Sequence, residues 1–113
     1  MTDSTYVLVL TTLPPDAEPR AFARMLVQER LAACVNILPE MRSVYRWKGN
    51  VEEELEQQVL IKTTRTRLLR LRDRVHELHP YDVPEFLVVP IVDGSDAYLR
   101  WIAESTEGDR RGQ

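Results

Sequence analysis

The sequence predicts an α+β fold: a four-stranded antiparallel sheet with two helices on one face and a short third helix at the C-terminal end. Three observations predict it. Runs rich in β-branched and apolar residues alternate with runs of helical apolar spacing, in the order strand, helix, strand, strand, helix, strand, helix. Gly49-Asn50 separates the two consecutive strand-like runs, as a tight hairpin turn would. Prolines at 14, 15, 80 and 84 punctuate the remaining boundaries. That order is the split βαβ, or ferredoxin-like βαββαβ, arrangement. A chain of 113 residues fits one such domain, here residues 1–106, followed by a tail at 107–113.

Each element has its own reason. Residues 6–13 are a strand rich in Val, Leu and Thr that stops at Pro14-Pro15. Residues 19–33 read as a helix, with Pro19 in the first turn and Phe22, Met25, Leu26 and Ala33 on one stripe. Cys34 to Ile37 opens a second strand. Pro39 interrupts it, which implies a bulge or an edge position, and residues 43–48 resume it. Residues 51–64 form a third strand, far longer than the usual ~5–6 residues. Thr64 is a suitable N-cap for a helix over 65–78, whose Leu68, Leu71, Val75 and Leu78 share a face. Residues 85–92 read as a fourth strand. Asp93-Gly94 is a turn, and Ser95 can cap a last helix to about residue 105. The tail has no apolar residue and is expected to be disordered.

Composition narrows the function. Hydrophobic residues at 43% and charged residues at 29% are those of a globular chain. A net charge of -3 is unlike a dedicated nucleic-acid-binding surface. One cysteine excludes an internal disulfide framework and a four-cysteine zinc site. No apolar run is long enough to span a membrane, and no secretory signal is visible at the start. A lone thiol suits a reducing compartment, so a cytoplasmic location is expected. Neither a glycine-rich phosphate loop nor a serine elbow is present. No enzymatic activity and no organic cofactor are therefore expected.

One expectation reaches beyond the fold. The first and last strands are apolar on both faces, yet the helices cover only one. Large exposed apolar patches are uncommon on monomers, so a partner subunit is expected to cover the other face. The long third strand has the length to reach that neighbour.

Several residues are candidates for chemistry. Cys34 reads as a soft metal ligand or as a small buried hydrophobe. The run His79-Pro80-Tyr81-Asp82-Val83-Pro84-Glu85 sets an imidazole and carboxylates on a proline-stiffened backbone. It suits a borderline divalent cation such as copper or zinc, or else a rigid loop whose polar groups bond locally. Lys62 within a strand either pairs with an anion, Glu85 being one choice, or lays its stem along the sheet. Tyr45, Trp47, Tyr98 and Trp101 line a pocket or fill a core or interface. The acidic run Glu52-Glu53-Glu54 with Glu56 suits a hard cation or reads as a solvated edge, and the basic stripe Arg67, Arg70 and Arg74 is a phosphate-binding surface or, with Asp73 and Glu77 interleaved, a solvated face.

Together these segments resemble the CutA family. The resemblance lies in Arg30-Leu31-Ala32-Ala33-Cys34-Val35-Asn36-Ile37, Ser43-Val44-Tyr45-Arg46-Trp47-Lys48-Gly49, Leu60-Ile61-Lys62-Thr63-Thr64, the 79–85 run and Tyr98-Leu99-Arg100-Trp101-Ile102. It spans residues 6 to about 105. The resemblance implies a ferredoxin-like homotrimer similar to the PII signalling proteins, linked to divalent cation tolerance and the response to metal ions such as copper. It implies His79, Glu85 and Cys34 as metal ligands; Lys62, Tyr81 and Glu85 as ligand-binding residues; and Tyr45, Trp47 and Trp101 as interface aromatics. The alternative it leaves open is a PII-like small-molecule sensor or docking module. Some members offer a cysteine where this chain has Thr11-Thr12, and others a histidine where it has Leu78, so fewer soft donors are available here.

Overall fold

The computed structural model of the protein describes residues 4–108. Tyr6–Leu13 (β1) is an inner strand of the sheet, and its alternate residues Val7, Val9, Thr11 and Leu13 are all sealed from solvent. A short 3₁₀ turn leads to Pro19–Gln28 (α1). Cys34–Trp47 (β2) and Asn50–Thr64 (β3) form a long hairpin. A second 3₁₀ turn leads into Leu68–Leu78 (α2), and Leu87–Pro90 (β4) and Asp96–Ser105 (α3) close the chain. The sheet order is β2-β3-β1-β4, antiparallel throughout, which is the expected ferredoxin-like arrangement. The core sits between the sheet and the α1/α2 layer, where Phe22, Leu26, Leu71 and Val75 meet Val7, Val9, Val59 and Ile61. Arg74 ties the two helices with a bidentate pair to Glu29, at 2.9 and 2.8 Å.

Several boundaries differ from expectation for identifiable reasons. α1 ends at Gln28 rather than 33 because Arg30 adopts a left-handed φ of 62°. The Leu31 amide then bonds Leu26 O and the Arg30 amide bonds Val27 O, the paired bonds of a Schellman stop. The hairpin turn sits on Lys48-Gly49, one residue earlier than expected, with φ of 51° and 84°. Both central residues are left-handed, as a two-residue turn matched to strand twist requires, and Gly49 bears that without cost. Thr64 does not cap α2; its hydroxyl meets the Thr66 hydroxyl at 3.1 Å, and a 3₁₀ turn over Arg65–Arg67 intervenes. β4 is only four residues long: its ladder with β1 spans Val7↔Pro90 to Leu10↔Leu87, and just past it the Ile91 amide still bonds Tyr6 O at 3.0 Å. Pro39 behaves as expected: β2 is an edge strand with a register break between Ile37 and Glu40. Ser95 caps α3, its hydroxyl accepting from the Tyr98 amide at 3.3 Å. Of the tail expected at 107–113, residues 109–113 lie outside the described residues.

Two features set up the functional site. First, the sheet face away from α1 and α2 is only partly covered. Register places Leu8, Leu10, Leu60, Lys62, Leu87 and Val89 on it. α3 shields one end, with the Lys62 ammonium 5.7 Å from the centre of the Tyr98 ring. Leu87 stays 55% exposed and Val89 41%. Second, β3 pairs with β1 only from Gln57 onward, so the hairpin runs past the sheet as an arm. The radius of gyration, 14.9 Å, accordingly exceeds the roughly 13 Å typical of a domain this size.

Candidate functional site

The base of the arm, the end of β1 and the loop between α2 and β4 enclose a cleft of about 620 Å³. The aromatic walls are Tyr45, Trp47 and Tyr81, and the carboxylates lining it are Glu56, Asp82 and Glu85. No basic side chain lines it among the described residues. The sheet's period of two explains the arm's contribution. Tyr45 pairs with Glu52, Trp47 with Asn50 and Met41 with Glu56, so Tyr45, Trp47 and Glu56 project to one side of the hairpin.

His79 holds the loop. It is 8% exposed, and its Nε2–H donates to Thr12 O at 2.6 Å while its Nδ1 accepts the Tyr81 amide at 3.1 Å. This is the pattern of the Nε2–H tautomer, and it occupies both ring nitrogens. The Tyr81 ring lies against the imidazole, centroids 4.9 Å apart. Its hydroxyl donates to Glu56 Oε2 at 3.1 Å, and Thr12 Oγ1 reaches the same oxygen at 3.4 Å. Gln58 closes the other side, its Nε2 donating to Thr11 O at 2.7 Å and to Glu85 Oε2 at 2.9 Å.

These contacts perturb the phenols. Loss of solvent, then the hydrogen bond to Glu56 and that carboxylate's charge, push Tyr81 from 10.0 up to about 12. Tyr45 is raised as well, by loss of solvent first and then by the charges of Glu54, Glu52 and Glu56. The folded state thus holds the Tyr81 proton more tightly than an unfolded chain does. Its contribution to stability is complete below about pH 10 and is lost as pH climbs towards about 12. Urea titrations at pH 9 and pH 11.5 should show a steeper alkaline loss in the wild type than in Tyr81→Phe. Equal losses would remove the Tyr81–Glu56 bond as a stabilising contact.

The expected site residues separate into two places. His79, Tyr81 and Glu85 gather at the cleft, and Tyr45 and Trp47 line it within the single chain. Lys62 does not meet Glu85: it sits under Tyr98, and Glu85 bonds Gln58, four residues along β3 from Lys62, roughly 13 Å away. Cys34 pairs across the strands with Lys62 and so lies with it on the open sheet face, its thiol facing Asn36 Oδ1 at 3.8 Å. Trp101 stands on α3 beside Tyr98, centroids 5.3 Å apart. Among the described residues, no three His, Cys, Asp or Glu side chains stand where they could hold a metal ion. The set His79, Glu85 and Cys34 therefore does not close a metal site within one chain. Gln58 is the site residue that sequence reasoning missed, and Glu56, read there only as part of the acidic run, is buried at the cleft. In a strand Gln58, Leu60 and Lys62 share one face, and one step back along that alternation reaches Glu56.

Fold and cleft together define a small α+β protein with an open sheet face and an acidic, aromatic-walled cleft. Residues 7–105 match the CutA1 divalent ion tolerance protein family, and the chain belongs to that family. The divalent-cation tolerance protein CutA of Thermus thermophilus is 48% identical over 99 residues, 88% of this chain and 96% of that one. The chloroplastic CutA of Arabidopsis thaliana is 44% identical over 100 residues, and this chain spans 55% of its length. Among solved structures, the Thermus protein superposes with a TM-score of 0.87 at 47% identity, covering 90% of this chain and 99% of that one. The PII-like protein CutA from Nostoc sp. PCC 7120 superposes at 0.84 and 36% identity, covering 91% and 99%. No helix among the described residues is long and apolar enough to cross a membrane.

Proposed function

We propose that this chain is a homotrimeric divalent-cation-tolerance protein that takes copper or zinc at its carboxylate-lined cleft, in the cytoplasm. The observation that carries the cation reading is the cleft's lining: Glu56, Asp82 and Glu85, with no basic residue among the described ones. Glu85 is the first ligand: the bond from Gln58 to its Oε2 fixes the carboxylate, and its Oε1 takes no hydrogen bond among the described residues. His79 joins only by giving up one of its two ring hydrogen bonds. Because the donors of one chain do not close around an ion, a bound ion keeps several waters. Cys34 is a separate soft donor on the open face. The trimer reading is supported by that face and by the protruding arm, and Trp101 belongs to the same boundary.

Calorimetric titration with copper and with zinc tests the ligands. Glu85→Gln should weaken binding about tenfold, the effect of removing a charged ligand. Equal affinities in wild type and variant would remove Glu85 from the site. A second reading, a PII-like small-molecule sensor, is favoured by the cleft's 620 Å³, a volume suited to an organic ligand rather than a bare ion.

A further inference from the structure

We infer that the cleft is a receptor for a small organic ammonium ion, with Tyr45, Trp47 and Tyr81 as its aromatic walls and Glu56 as its counter-charge. The inference rests on the sensor reading and names the ligand class that reading leaves open.

Four observations converge on it. The volume, about 620 Å³, lies within the range of organic-ligand pockets, roughly 300–1,000 Å³. The formal charges lining it are all negative, so an anionic metabolite is repelled. The walls are aromatic, and Pro80, Val83 and Pro84 add apolar surface. A hydrated metal ion gains little from such walls, whereas an alkylammonium ion gains from the negative ring faces of Tyr45 and Tyr81 and from burying its methyl groups; the Lys48 ammonium already stands 5.8 Å from the centre of the Trp47 ring, which leaves Trp47 chiefly as apolar wall. Finally, Glu56 is only 7% exposed, an unusual place for a carboxylate. Both of its hydrogen bonds, from Thr12 and from Tyr81, fall on Oε2. Oε1 takes none among the described residues, yet it is not sealed off: the only fully buried side-chain N or O without a partner among them is Thr11 Oγ1. Glu56 thus turns one oxygen to its neighbours and leaves the other to the cleft it lines.

The neighbouring groups keep that arrangement rigid. Tyr81 is fixed at one end by its amide on His79 Nδ1 and at the other by its hydroxyl on Glu56. Its ring is therefore held as a wall before any ligand arrives, which lowers the ordering cost of binding. The acidic run Glu52 and Glu54, which raises Tyr45, adds long-range attraction for a cation entering from the arm side.

The test uses the full chain and two probes of nearly equal shape, tetramethylammonium and uncharged tert-butanol. The chain has two tryptophans, Trp47 in the cleft and Trp101 on α3, so their indole N–H resonances give a reporter and an internal control. Tetramethylammonium should shift the Trp47 signal saturably and leave Trp101 in place, and tert-butanol should shift neither at the same concentration. Glu56→Gln should weaken tetramethylammonium at least about tenfold. Asp82→Asn, which leaves the Tyr81–Glu56 bond intact, should weaken it by a smaller factor. A shift of equal size with tert-butanol, unchanged affinity in both variants, or no saturable shift at 0.2 M (about the ceiling for a weak site) would each overturn the inference. Zinc titration of the same sample separates the two cation readings. Tetramethylammonium binding without zinc binding supports the organic site and sinks the metal one; zinc binding alone does the reverse.

Discussion

Leu87→Glu should convert the proposed trimer into a folded monomer. Light scattering should give about 40 kDa for the wild type, three protomers of 13.2 kDa, and one protomer mass for the variant. Leu87 is 55% exposed in the single chain, so glutamate there meets water and leaves the fold intact. In the trimer proposed above, the open sheet face that carries this position is the one a neighbour covers. Register sets Leu87 opposite Leu10 and Val89 opposite Leu8, next to Leu60 on β3, so the carboxylate would enter an apolar sheet-to-sheet contact. Burying an unpaired charge costs several kcal/mol, and three-fold symmetry repeats that cost at every interface. Circular dichroism of the variant should match the wild type, which separates dissociation from unfolding. A wild type that already runs as one protomer would remove the argument from the open face. A wild type that assembles only with excess zinc would place the ion between subunits.

The fold was legible because its signals are local. Two helical stripes, strands with branched residues and prolines at the boundaries all act over a few residues. What the sequence hid was set by backbone geometry or by contacts distant in the chain. Nothing in Arg30 announces a left-handed stop, since glycine is the usual occupant there. The shortness of β4 depends on its pairing with β1, distant in the chain, which stops at Leu10↔Leu87 although β1 runs on to Leu13; its apolar residues up to Val92 read as strand regardless. That α3 would shield part of the open face was equally out of reach, because it depends on how the chain turns after Asp93-Gly94.

The site was half legible. The His79–Glu85 run stood out by its prolines and its density of polar groups, and it does form one wall of the cleft. Glu56 was hidden in an acidic run whose other members are more exposed, and only pairing with β2 and approach of the loop distinguish it. Lys62 and Glu85 looked like partners because both are charged and belong to the resembling motifs. Four residues of β3 keep them apart.

His79→Ala should cost about 2–4 kcal/mol of stability, measured by urea unfolding in the Leu87→Glu background so that dissociation does not contribute. The imidazole is 8% exposed and joins three parts of the chain: its Nε2–H bonds the end of β1, its Nδ1 receives the Tyr81 amide, and its own amide caps α2 on Val75 O at 2.9 Å. Alanine keeps the cap and loses the other two bonds. Thr12 O is then left in a site that water enters poorly, while the Tyr81 amide, on an exposed loop, finds water readily. The missing ring also leaves a cavity beneath Tyr81, which loses the wall it packs against. The same experiment decides between His79 as a clamp and His79 as a metal ligand. A clamp gives the full loss without any metal and leaves zinc affinity set by Glu85. A ligand gives wild-type stability in the absence of metal and abolishes the zinc-induced gain, because a bound ion stabilises only the state that binds it. With both ring nitrogens already engaged by protein partners, the first outcome is the one this geometry requires.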